Sequence, residues 1–171
     1  MHCLTHRESV AWCRKHNYPV KEAGYYGYPI PDARDRFALV QLDYPTDSGK
    51  KIALAREVIG WYTKNHQLML WISEWGVWPS SEHMPLFTRF RQALGEMRPL
   101  IEAPGHLINA GEFDEALSVL AVSLLFFWDC YVFSEWSGPV FFCSHDEWLG
   151  FFIPRGHDQA AIRGTFSNWL Q

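Results

Sequence analysis

"DCYVFSEWSGPVFFCSHDEWLGFF" (residues 129–152) is the stretch on which the fold turns. Two short runs rich in aromatic and β-branched residues, DCYVFS (129–134) and PVFFCS (139–144), flank the four residues EWSG. That pattern predicts a C-terminal β-hairpin. The end of the second run decides the topology. Ser144-His145-Asp146-Glu147 fits the capping box S-x-x-E, in which the serine side chain accepts from the glutamate amide and the glutamate returns the bond. Asp146 would favour the positive end of the helix dipole. On this reading a strand ends at Ser144 and WLGFF opens a helix. The only other Ser/Thr-x-x-Glu match is Thr5–Glu8, which also precedes an expected helix, over about 6–16.

Upstream of the hairpin, Ala116 to Trp128 is the longest apolar run, thirteen residues without a charge. It is too short for a membrane span, which needs about twenty, so it predicts a buried helix. Asn109 is a candidate cap for it, with Glu112 and Asp114 suited to its dipole. The preceding RPLIEAPGHLINAG reads as loop, and His106 in it as a structural histidine. Pro85 suits the first turn of a helix carrying Leu86, Phe87, Phe90, Ala93 and Leu94, with Gly95 as its stop. QLMLWISEWGVW (67–78) and FALVQLDY (37–44) read as strands. Between them, Asp47 or Ser48 caps a helix with Ile52, Ala55, Val58, Ile59 and Tyr62 at helical spacing. The fold class expected is therefore α/β or α+β: one domain over 1–171, with about four strands in one mixed sheet covered by helices.

Composition narrows function by exclusion. The chain has 48% hydrophobic residues, a formal charge of −4, and no run of basic residues longer than two. A nucleic-acid footprint normally needs a basic patch or stripe, so no nucleic-acid partner is expected. The four cysteines lack C-x-x-C spacing, and MHCLTHRESV has no apolar core of a signal peptide. Reduced thiols, a cytoplasmic location and no membrane association are the resulting expectations. YPTDSGKKIAL has Tyr44 where a phosphate loop needs glycine and Lys51 where it needs serine or threonine. G-x-G-x-x-G and G-x-S-x-G are absent, and no cofactor is implied.

Three sets of residues carry possible chemistry. The chain holds nine Trp, seven Tyr and twelve Phe, more than a core of this size requires. Surplus aromatics beside carboxylates suit a protein partner, and the contact residues expected are Tyr25, Tyr26, Tyr28, Glu135 and Trp136. The preferred function is a non-enzymatic binding module, of the kind exemplified by immunity proteins and antitoxins. The alternative is a metal-dependent hydrolase or oxygenase in which His145, Glu147 and His157 bind the metal. A third reading makes Trp71 and Trp75, on one strand face, a platform for a sugar or other small ligand. Glu74 and Glu135 would then be the carboxylate pair of a glycosidase.

Overall fold

The computed structural model describes residues 1–20, 37–62, 66–76 and 83–170. In chain order the elements are β1 (His2–Leu4), α1 (His6–Lys15), β2 (Phe37–Leu42), α2 (Ser48–Tyr62), β3 (Leu68–Glu74) and α3 (His83–Ala93). They continue with β4 (Gly105–Ile108), α4 (Phe113–Leu125), β5 (Asp129–Ser134), β6 (Val140–Cys143), β7 (Leu149–Pro154) and α5 (Gln159–Thr165). The seven strands form one sheet in the order β1-β4-β3-β5-β6-β7-β2. Every neighbouring pair is antiparallel. The expectation of about four strands in a mixed sheet is thus overturned: the class is α+β, with an antiparallel sheet.

The largest correction falls on the residues after β6. Ser144 N–H donates to Trp148 O (2.7 Å), and Glu147 N–H donates to Ser144 O (3.2 Å). Glu147 sits at φ 57°. His145–Glu147 is therefore a three-residue hairpin loop, a tight turn ending in a left-handed residue, and it joins β6 to β7. The serine amide that a capping glutamate would satisfy is already spent in the ladder. WLGFF becomes strand because it is buried on both faces. Leu149, Phe151 and Ile153 point to one side with 0% exposure, while Phe152 packs on the other against Trp148 and Phe142. A strand covered on both sides is continuously apolar, and periodicity cannot tell it from helix. Gly150 is needed there, since a Cβ would lie 2.5 Å from the Val40 carbonyl oxygen of neighbouring β2.

One sheet face is covered by α2 and α4, with Phe87 of α3 and Ile162 of α5 adding to the same core. Each fully buried aliphatic or aromatic side chain there contributes roughly 1.5–3 kcal/mol. The opposite face carries Met69, Trp71, Tyr131 and Phe133 beneath Val10, Trp12 and Cys13 of α1. Helix α1 has the full capping box between Thr5 and Glu8. Asp47 caps α2, accepting from Lys50 N–H (2.9 Å). Gly95, at φ 87°, ends α3, with Glu96 N–H reaching Arg91 O and Gly95 N–H reaching Gln92 O, the paired bonds of a Schellman stop.

Two tyrosines grip the β5–β6 turn from opposite faces. Tyr62 OH donates to Pro139 O (2.7 Å) and accepts from Phe141 N–H (2.8 Å). Tyr18 OH donates to Ser134 O (2.7 Å) and accepts from Ser134 N–H (3.2 Å). Helix α4 has Glu112, not Asn109, at its N-cap position. Instead Asn109 N–H donates to the Glu112 carboxylate (2.7 Å), which also binds the N-terminal ammonium.

Candidate functional site

Two groups of side chains stand out, at opposite ends of the sheet. The first is built on the β5–β6 turn. Ser137 turns the chain at φ 58°, and Trp136 lies flat over Gly138, where a Cβ would come 3.1 Å from its ring. Trp61 of α2 flanks it at 5.8 Å between ring centroids, and His66 stacks on it at 6.0 Å and 22°. Beside it, the Glu135 carboxylate accepts from Gln67 N–H (3.0 Å) and faces His66 Nδ1 at 3.5 Å. The Glu135 carbonyl is 2.8 Å from His16 Nδ1. Trp136 is nonetheless 42% exposed. An apolar ring is thus held in place on a rigid turn, next to a carboxylate. The sequence singles out Glu135 and Trp136, and the fold sets Trp61 and His66 beside them. Trp61 was detectable in principle, because it falls off the apolar stripe of α2 that ends at Tyr62.

The second group lies where β3 ends and β5 begins. The register between β3 and β5 shifts between Ile72 and Glu74, so that Glu74 is paired with Asp129. An extra residue of this kind reverses the in-out alternation beyond it. Trp71 and Trp75 therefore do not share a face: Trp71 packs on the α1 side against His6, and Trp75 packs against the α2–α4 core. Trp71 is also only 2% exposed, which leaves no ring surface for a ligand to stack on.

His145 completes this group. Its backbone N–H and its Nδ1 both bond to Asp129 Oδ1, at 2.7 and 2.8 Å, so one buried carboxylate pins the β6–β7 loop to the start of β5. Glu74 Oε2 is 3.9 Å from Nδ1, and Asp146 Oδ1 is 3.5 Å from Nε2. Burial opposes protonation of His145. The Asp129 hydrogen bond and charge, with smaller help from Asp146 and Glu74, outweigh it and raise its pKa above the usual value. The carboxylates and the imidazole come from three different segments, and one ligand atom of each lies within 4.8 Å of the others.

The sets expected from sequence fare differently. Glu147 is exposed on the hairpin loop, and His157 lies beyond the far end of β7, six residues away along an extended strand. That is about 20 Å, so His145, Glu147 and His157 are not brought together. Glu74 and Glu135 are separated by the length of β5, far beyond the spacing of a glycosidase pair, at most about 9.5 Å. Tyr25, Tyr26 and Tyr28 lie outside the described residues. Lys51 is a core cation with 4% exposure, its Nζ 3.8 Å from the Phe127 ring centroid and 5.0 Å from that of Tyr44. Burial lowers its pKa, and Glu147 partly restores it. A shallow groove on the outside of α3, lined by Met84, Pro85, Thr88, Arg89 and Gln92, involves neither group. Among the described residues, no helix is long and apolar enough to cross a membrane. Comparison with protein-family models, with curated proteins and with solved structures finds no match for this chain.

Proposed function

We propose that this chain is a non-enzymatic protein-binding module of the immunity or antitoxin kind, acting in the cytoplasm. It docks a basic protein partner on Trp136, Trp61, His66 and Glu135. The observation that carries this reading is Trp136, 42% exposed yet held over Gly138 and against Trp61. Tryptophan is enriched among the residues that dominate binding energy, and a side chain already fixed in place loses little entropy on docking. Glu135 and the formal charge of −4 favour a positively charged surface and speed its approach. The cytoplasmic placement is supported by four cysteines that are all free and buried.

The test starts with affinity purification from the native cell, followed by calorimetry of the recovered partner. Trp136→Ala is expected to weaken binding by about 30-fold or more, equivalent to about 2 kcal/mol, with the melting temperature nearly unchanged. Added salt is expected to slow association. Recovery of no specific partner, or an affinity unchanged in Trp136→Ala, overturns the proposal.

A further inference from the structure

We propose that Glu74, Asp129 and His145 form a binding site for a divalent transition-metal cation, independent of the protein-binding surface at the other end of the sheet. The donors are two carboxylate oxygens and one imidazole nitrogen, a mixed set that suits Zn²⁺ and its first-row neighbours. The three donor atoms all lie within 4.8 Å of one another. Nδ1 lies 2.8 Å from Asp129 Oδ1 and 3.9 Å from Glu74 Oε2. Bonds of about 2.0–2.1 Å in a tetrahedral site place donors about 3.3–3.4 Å apart, between these two values. A cation entering there displaces the Nδ1 proton to solvent and draws the three donors to a common centre.

A second observation points the same way. The Asp129 side chain is 98% buried (2% exposed), yet both of its hydrogen bonds fall on Oδ1 and none reaches Oδ2. Among the described residues no lysine or arginine pairs with Asp129 or Glu74, and His145 is the basic group that faces both. Two carboxylates facing one imidazole leave net negative charge at a largely buried spot, which is costly, and a dication answers that charge. The scaffold is rigid, since Glu74 and Asp129 are neighbours in the central ladder and His145 is anchored to Asp129 through its own amide. Three protein donors leave coordination positions open to water or to an exogenous ligand.

The experiment is calorimetric titration of Zn²⁺ into untagged, metal-stripped protein, with elemental analysis of the product. One equivalent is expected to bind with a micromolar or tighter Kd. Glu74 is at the rim and forms no hydrogen bond that the fold depends on, so Glu74→Gln is expected to keep the circular dichroism and melting temperature. It should weaken Zn²⁺ at least ~10-fold, the smallest loss usual even for partners outside the ligand shell. His145→Gln is expected to lose more, and His157→Gln, with its exposed ring, nothing. Absence of saturable binding by the folded wild-type protein at about 100 μM Zn²⁺ overturns the site. So does an affinity unchanged in both Glu74→Gln and His145→Gln. Neither outcome bears on Trp136 and its partner, which are read by a separate assay.

Discussion

His106 lies wholly inside the protein, opposite Cys3 of β1 and Leu70 of β3. Its Nδ1 sits 3.3 Å from the Leu70 carbonyl, and its Nε2 is buried without a partner. Phe87 packs on the ring, and the buried guanidinium of Arg91 is close by. Burial first, and then the Arg91 charge, hold its pKa down at about 3. In the unfolded chain the value is about 6.5. Because the folded pKa is depressed, the unfolded state takes up the proton first as pH falls. Stability is therefore lost progressively below pH 6.5, and the loss levels off only near pH 3. One pKa unit corresponds to about 1.4 kcal/mol, so about 2 kcal/mol disappears between pH 7 and pH 5, and about 4 kcal/mol by pH 3. The first figure is already a large fraction of the 5–15 kcal/mol typical of a domain.

The assay is urea unfolding followed by tryptophan emission at pH 7 and pH 5, on the wild type and on His106→Gln. The variant keeps an amide able to donate to Leu70 O but removes the titration. Its overall stability is not the readout; the difference in pH slope is. That slope is expected to be about 2 kcal/mol smaller in the variant. His145 acts in the opposite sense: its raised pKa contributes stability that is complete below pH 6.5 and lost as pH rises through its folded value. It is present in both proteins and cancels. Equal losses between pH 7 and pH 5 in the two proteins, or a His106 ring resonance titrating near 6.5, would refute this account.

Glu147→Gly separates the hairpin loop from the capping box by sign. Relief of the left-handed conformation at φ 57° should leave the protein about 1 kcal/mol more stable, whereas loss of a cap would destabilise it, as chemical denaturation can show. At the true capping box, Thr5→Ala removes the acceptor of the Glu8 amide and should cost about 1 kcal/mol in the same measurement. Tyr62→Phe strands the Pro139 carbonyl and the Phe141 amide together. It should cost about 2 kcal/mol or more, with faster amide exchange at Phe141 as the local signature.

Sequence alone was sufficient for several local features, though not for Ser144–Glu147, whose capping-box pattern is a hairpin loop in the fold. The Thr5–Glu8 cap, the glycine stop of α3 and the 3.6-residue stripe of α2, apart from Ile52, which is exposed, each rest on residues close in sequence and form in the fold. The placement of Glu135 and Trp136 on one turn was legible for the same reason. Tertiary structure decided the rest. Strands β1 and β4, of three and four residues, carry too few side chains to show a period, and they are strands only because β3 and one another supply hydrogen-bond partners. Strand β7 resembles a helix in sequence because both of its faces are covered, which erases the alternation that would reveal it. Glu74, Asp129 and His145 are far apart in sequence and meet through the register of β3 on β5 and the short β6–β7 loop. The shift between Ile72 and Glu74 moved one carboxylate onto the right face and separated Trp71 from Trp75. Local chemistry set where the elements begin and end, and long-range strand pairing set which side chains share a site.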